Sequence, residues 1–195
     1  MNKNEIVNFF DDLSKDWDSN LIINEDKFNQ ILDSAYIEEN CTVLDVACGT
    51  GVMIPYYLSR GVKHVTGIDI SSKMIECAKN KFHDNEKVNF VCCDADSFKS
   101  ERQYDRCMIF NALPHFIDPL GLLKNLYNSL TENGRLTVAH DMGRKALDRH
   151  HSNCAKNVSC GLMSEDDLEN IFIQSGFRNI SKHANDDIYI VSGIK

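Results

Sequence analysis

The chain has 195 residues, a formal net charge of −8 and a hydrophobic fraction of 43%. That length suits one domain with a full core, and the composition excludes wholesale disorder. A nucleic-acid binder must neutralise phosphates with a basic surface, which the overall acidity opposes.

The opening segment "MNKNEIVNFFDDLSKDWD" is polar and acidic. It lacks the apolar centre of a signal peptide, and no apolar run reaches the ~20 residues that span a bilayer. A cytoplasmic chain with no membrane span is therefore expected. "CTVLDVA" (41–47) reads as a first buried strand, and "GVMIPYYLSRG" as a helix that tolerates Pro55 in its first turn. "HVTGIDI" (64–70) is a second strand. Ser71 then caps a helix with Met74, Ala78 and Phe82 on one face. "KVNFVCCDA" (87–95) and "YDRCMIFNA" (104–112) are the third and fourth strands.

Asp118–Pro119 starts a helix whose apolar face carries Leu123, Leu126, Tyr127 and Leu130. "TENG" (131–134) ends it, and "RLTVAH" (135–140) is a fifth strand. Ser164 with Asp167 caps a last helix lined by Leu168, Ile171 and Phe172 and closed by Gly176. "FRNISKHA" and "DIYIVSGIK" then pair as an antiparallel hairpin through an Asn-Asp turn. The pattern predicts an α/β fold. It is a doubly wound, seven-stranded, mainly parallel sheet with helices on both faces and a C-terminal antiparallel hairpin.

Eight cysteines raise the question of disulfides, but in a reducing compartment free thiols are expected. Cys41, Cys92, Cys93 and Cys107 sit in apolar runs, where a thiol acts as a small hydrophobe. No C-x-x-C pair is present, so neither a zinc ribbon nor a thioredoxin-type site is supported.

The informative loop is "VLDVACGTG" (43–51). A glycine-rich turn between strand and helix lets a ligand approach the backbone. A dinucleotide fingerprint needs glycines at i, i+2 and i+5, but from Ala47 those positions hold Ala47, Gly49 and Val52. The spacing is instead Ala47, Gly49, Gly51, preceded by Asp45. This resembles the first motif of class I S-adenosylmethionine (SAM)-dependent methyltransferases, acidic-x-Gly-x-Gly-x-Gly, with Ala47 in place of the first glycine. The resemblance covers nearly the whole chain, including the terminal hairpin. "FFDDLSKDWD" is similar to the opening of the ubiquinone/menaquinone-type branch, where it helps to cover the site.

The resemblance implies SAM as cofactor and assigns positions to it. Asp45, Ala47, Cys48, Gly49 and Gly51 form the loop. Asp69, eighteen residues after Gly51, would hold ribose hydroxyls. Ile70 and Met74 give apolar surface near adenine, and Asp94 and Ala95 meet its amino group. Asn111 borders the methyl donor. The positive end of the helix after Gly51 would suit the methionine carboxylate.

Methyl transfer mainly requires alignment and exclusion of water, with a base where the acceptor must lose a proton. His115 in "NALPHF" and His140 at the end of the fifth strand are the candidate catalytic bases. If 144–155 is helical, Leu147, His150, His151 and Cys154 share a face. His150 and Cys154 could meet one metal, but no spacing is a zinc signature, and no metal is expected. The preferred reading makes 141–163 an acceptor lid, with His150, His151 and Trp17 as substrate-facing residues and 1–36 as an N-terminal helical cover of a single domain. Arg144 and Arg149 could pair with an anionic acceptor. The expected function is methylation of a small molecule. The competing readings are an RNA or protein methyltransferase and a non-enzymatic SAM-binding or metal-responsive protein. Acceptor identity and oligomeric state are not written in the sequence.

Overall fold

The computed structural model describes residues 2–155 and 157–195, the side chains of Asn20 and of residues 150–154 excepted. Two helices lead the chain, α1 (Lys3–Leu13) and α2 (Glu25–Ser34). The alternating part follows as β1 (Thr42–Val46), α3 (Ile54–Ser59), β2 (His64–Asp69), α4 (Ser72–Lys81), β3 (Val88–Cys92), β4 (Tyr104–Phe110), α5 (Pro119–Asn128) and β5 (Leu130–His140). It ends with α6 (Arg144–Cys154), α7 (Glu165–Gln174), β6 (Arg178–Ala184) and β7 (Tyr189–Ile194).

The seven strands form one sheet in the order β3-β2-β1-β4-β5-β7-β6. The first five are parallel, and β7 runs antiparallel between β5 and β6. From β1 the chain winds outward to β2 and β3, then returns to place β4 on the other side of β1. That reversal makes a switch point at the carboxyl ends of β1 and β4, where doubly wound sheets receive ligands.

Alternation along the strands divides the core between two faces. Leu44, Val46, Cys107, Ile109, Leu136 and Val138 pack with residues of α5 and α7. Val43, Val65, Met108 and Ala139 pack on the other face with α2, α3 and α4. Leu122, Leu123 and Leu126 make the buried side of α5 and are fully enclosed. Each such leucine contributes roughly 1.5–3 kcal/mol by burial.

Local signals fix most ends. Ser71 accepts from the Met74 N–H, Asp118 from the Gly121 N–H and Ser164 from the Asp167 N–H, each as a helix N-cap. Asn2 and Glu5 complete a capping box on α1.

Three expectations need correction. The "TENG" segment does not terminate a helix. α5 stops at Asn128, and β5 already begins at Leu130, which pairs with Tyr104. The extra residues are absorbed by a register shift between Tyr104 and Arg106, with Asn133 at φ +62°. The helix after Gly51 is shorter than "GVMIPYYLSRG" predicts: it starts at Ile54, whose N–H donates to the Gly51 carbonyl at 3.1 Å, and runs six residues. Cys92 is exposed, because β3 is an edge strand that buries only Phe90.

Candidate functional site

The loop leaving β1 is a compact coil held to its neighbour. The Cys48 N–H donates to the Ile68 carbonyl at 3.0 Å, and the Gly51 N–H to the Cys48 carbonyl at 2.9 Å. Ala47, Gly49 and Gly51 have φ of +55°, +55° and +83°. That explains the glycine pattern, since left-handed backbone penalises a Cβ. Ala47 tolerates the conformation at the cost of strain. Close packing requires another glycine on β2, for a Cβ at Gly67 would lie 2.8 Å from Cys48 Sγ and from the Phe90 ring.

Asp69 ends β2 directly beside this coil. One carboxylate oxygen accepts from the Gly49 N–H at 2.9 Å and the other from the Ser71 N–H at 2.8 Å. Burial raises its pKa, the two backbone donors oppose that shift, and the charge of Asp11 adds to it. Each oxygen keeps a lone pair, so the group can accept further hydrogen bonds from a diol.

Asp45 has a different environment. It is 2% exposed, lies on the same face of β1 as Val43, and has an oxygen with no hydrogen-bond partner among the described residues. Burial pushes its carboxyl up to about 7; the Tyr57 hydroxyl favours the ionised form and Asp69 disfavours it. Asp45 therefore sits beneath the coil as a carboxyl that titrates near neutrality, not as a surface anion.

The N-terminal segment crosses the carboxyl edge of the sheet as a strap. Lys3 forms ion pairs with Asp94 and Asp96, the latter at 2.7 Å, and both raise its pKa. Asp11 accepts from the Ser71 hydroxyl at 2.5 Å and the Lys73 N–H at 3.2 Å, at the start of α4. Asp18 accepts from the Thr50 hydroxyl at 2.6 Å and pairs with Lys81 at 2.6 Å. Trp17 lies over the glycine coil, its Nε1 4.0 Å from the position a Gly49 Cβ would take. Met74 Sδ approaches the same point at 4.0 Å, and Met74 is buried. Ile70 is half-buried, and Ala95 is buried with its carbonyl accepting from Asn125 at 2.9 Å.

On the β4 side, Asn111 has φ +52° and clips two strand ends together. Its amide donates to the Asp141 carboxylate at 3.0 Å and its oxygen accepts from the Asp141 N–H at 3.2 Å. Residues Leu113–His115 form a 3-10 turn that sets His115 at the switch point. His115 Nδ1 lies 2.6 Å from the Val158 carbonyl, and burial lowers its pKa. The Phe10 ring meets the His115 ring edge-on with centroids 5.0 Å apart, and the Trp17 ring at 5.8 Å. Ile6, Ala155 and Val158 form a small core with Phe9 and Phe10, joining the strap to the segment that follows α6.

His140 does stand at the carboxyl end of β5, but it does not emerge beside the switch point as expected. It is fully buried, level with Tyr189, whose ring it meets at 6.0 Å. The reason is alternation: His140 shares the face of Leu136 and Val138, which packs inward. The side chains of His150, His151 and Cys154 lie outside the described residues, so their proposed common face is not placed. Among the described residues no group of three potential metal ligands comes together. The residues that sequence reasoning missed are Lys3, Phe10, Asp11, Asp18, Tyr57 and Val158. The aromatic pair Phe9–Phe10 beside Trp17 was the one visible signal.

Against known proteins, residues 43–134 match the family described as a methyltransferase domain. A malonyl-[acyl-carrier protein] O-methyltransferase of Priestia megaterium is 29% identical over 157 residues, covering 78% of this chain and 56% of that one. A ubiquinone biosynthesis O-methyltransferase of Coxiella burnetii is 32% identical over 108 residues, covering 52% of this chain and 46% of that one. The chain spans about half the length of the curated relatives it matches. The magnesium protoporphyrin IX methyltransferase of Synechocystis PCC 6803 shares the fold with a TM-score of 0.71 at 17% identity, over 100% of both chains. Residues 43–134 therefore resemble a methyltransferase domain in sequence, and the chain has the class I methyltransferase fold. Quinone-type and acyl-carrier-type relatives match alike, so the quinone branch is not singled out. No helix among the described residues is long and apolar enough to cross a membrane.

Proposed function

We propose that this chain transfers a methyl group from SAM to an oxygen of a small-molecule acceptor. The observation that carries the reading is the left-handed coil Ala47–Gly51 seated on Asp69 at the switch point of the sheet. The residues suit the cofactor: glycine backbone permits close approach, and the Asp69 carboxylate retains acceptor capacity for ribose hydroxyls. Asp45 to Gly51, Asp69, Ile70, Met74, Asp94, Ala95 and Asn111 are the proposed cofactor contacts. SAM, when bound, supplies an electrophilic methyl group.

The chain's own contribution is alignment, dryness and a base. The strap (within residues 1–36) and the lid (141–163) exclude water, which strengthens interactions inside the site. His115 takes the proton from the acceptor hydroxyl, its lowered pKa keeping it neutral and able to do so. His140, being buried, serves the wall beneath the lid. Trp17, His150 and His151 are the proposed acceptor contacts. An oxygen acceptor is supported by the relatives named as O-methyltransferases. The acidic charge disfavours an RNA acceptor.

Calorimetry tests the reading. SAM should bind, and Asp69→Ala should weaken binding at least tenfold, since hydrogen bonds to a charged group are worth ~1.5–3 kcal/mol. His115→Gln should leave binding intact and lower turnover by ~10²–10⁴-fold. Absence of SAM binding by the parent chain would sink the proposal.

A further inference from the structure

Among the described residues, two hydrogen bonds join the lid to the turn that carries His115. The Cys160 N–H donates to the Pro114 carbonyl at 2.8 Å, and His115 Nδ1 faces the Val158 carbonyl at 2.6 Å. A carbonyl oxygen can only accept, so the hydrogen in the second bond belongs to Nδ1. A neutral imidazole with its proton on Nδ1 carries its lone pair on Nε2. Burial around His115 favours that neutral ring. The Phe10 edge against the ring, and the Ile6–Val158 contact behind it, tie the same lid residue to the strap.

We propose that the lid supplies the orienting group of the base: the Val158 carbonyl fixes His115 in the Nδ1–H tautomer, so that Nε2 becomes the proton acceptor only when Val158 and Cys160 are docked. This rests on the reading of His115 as a base. Val158 acts here as a positioning residue through its main chain, and proton removal is coupled to closure over the acceptor. Withdrawal of the Val158 carbonyl would remove the acceptor that holds the hydrogen on Nδ1 and so admit the other tautomer, with Nε2 occupied by hydrogen. A base that is correctly armed only in the closed site avoids proton exchange with solvent before the acceptor is enclosed. The arrangement parallels the general use of an acceptor on one imidazole nitrogen to set the role of the other.

The test is long-range proton–nitrogen NMR on the full chain labelled with nitrogen-15 in histidine, without acceptor or cofactor. His115 is assigned by the signals lost in His115→Gln. The expected result at neutral pH is the Nδ1–H tautomer, with Nε2 resonating as an unprotonated nitrogen. Val158→Gly, which removes the apolar anchor to Ile6 and Phe10, should collapse the separation of the two ring nitrogens toward a tautomer average. An Nε2–H tautomer in the parent chain would overturn the proposal, and so would a pattern unchanged in Val158→Gly. Should the glycine variant fail to fold, the parent tautomer still decides. A parent chain that shows the Nδ1–H tautomer yet binds no SAM by calorimetry would defeat the proposed function and leave the lid's hold on His115 standing.

Discussion

Replacing Asp45 with asparagine should stabilise the protein at alkaline pH. The carboxyl is 2% exposed and burial pushes its pKa from 3.8 up to about 7. A raised carboxylate pKa means that the folded state favours the neutral acid. No penalty exists below the unfolded pKa; the penalty grows as pH rises from there to about 7 and is constant above. One pKa unit is worth about 1.4 kcal/mol, so the full cost of ionising Asp45 in place is about 4 kcal/mol. Asparagine keeps the shape and carries no charge. Urea unfolding of parent and variant across pH should show the stability difference moving in favour of Asp45→Asn by about 3 kcal/mol between pH 5 and pH 8. Any hydrogen bond that asparagine gains or loses adds a constant offset and leaves this slope intact. A difference that stays flat from pH 5 to pH 8 would refute the reasoning, for it would mean that Asp45 is ionised at both.

Two further outcomes follow from the coil. Ala47→Gly relieves a left-handed alanine at φ +55° and should raise stability by up to about 1 kcal/mol, read by denaturant midpoint. A loss of stability would show that Ala47 bears no strain. Gly67→Ala forces a Cβ to 2.8 Å from Cys48 Sγ and the Phe90 ring. It should cost about 1–3 kcal/mol and weaken SAM affinity together, because the displaced residue belongs to the coil. A variant with unchanged thermal midpoint would contradict the close packing seen there.

The sheet was legible because its strands are continuous apolar runs such as "VLDV" and "CMIF", separated by helix-period segments with their own caps. The antiparallel end of the sheet was legible from the short final hairpin. The glycine coil and Asp69 were readable because their chemistry depends on spacing within a single βαβ unit. What was not legible depends on partners far along the chain. Lys3 meets Asp94 across 91 residues, and His115 meets Val158 across 43. No local pattern encodes such pairings. His140 misled for another reason: its position at a strand end was right, but the face it points to is set by the strand's inward alternation with Leu136 and Val138. The start of β5 misled because turn-forming residues Glu132–Gly134 are accommodated within a paired strand by a register shift.

The strap also has a consequence for the order in which the protein assembles. Its residues precede the sheet in the chain, yet its seat is made of Thr50, Ser71, Asp94, His115 and Val158. That seat does not exist until the sheet and the segment around Val158 have formed, and closing such long loops is slow. The strap is therefore expected to dock late in folding and, held mainly by partly exposed polar contacts, to open early in the folded protein. Amide hydrogens of α1 should exchange well before those of β1 and β4, and the entrance to the site inherits that low local stability.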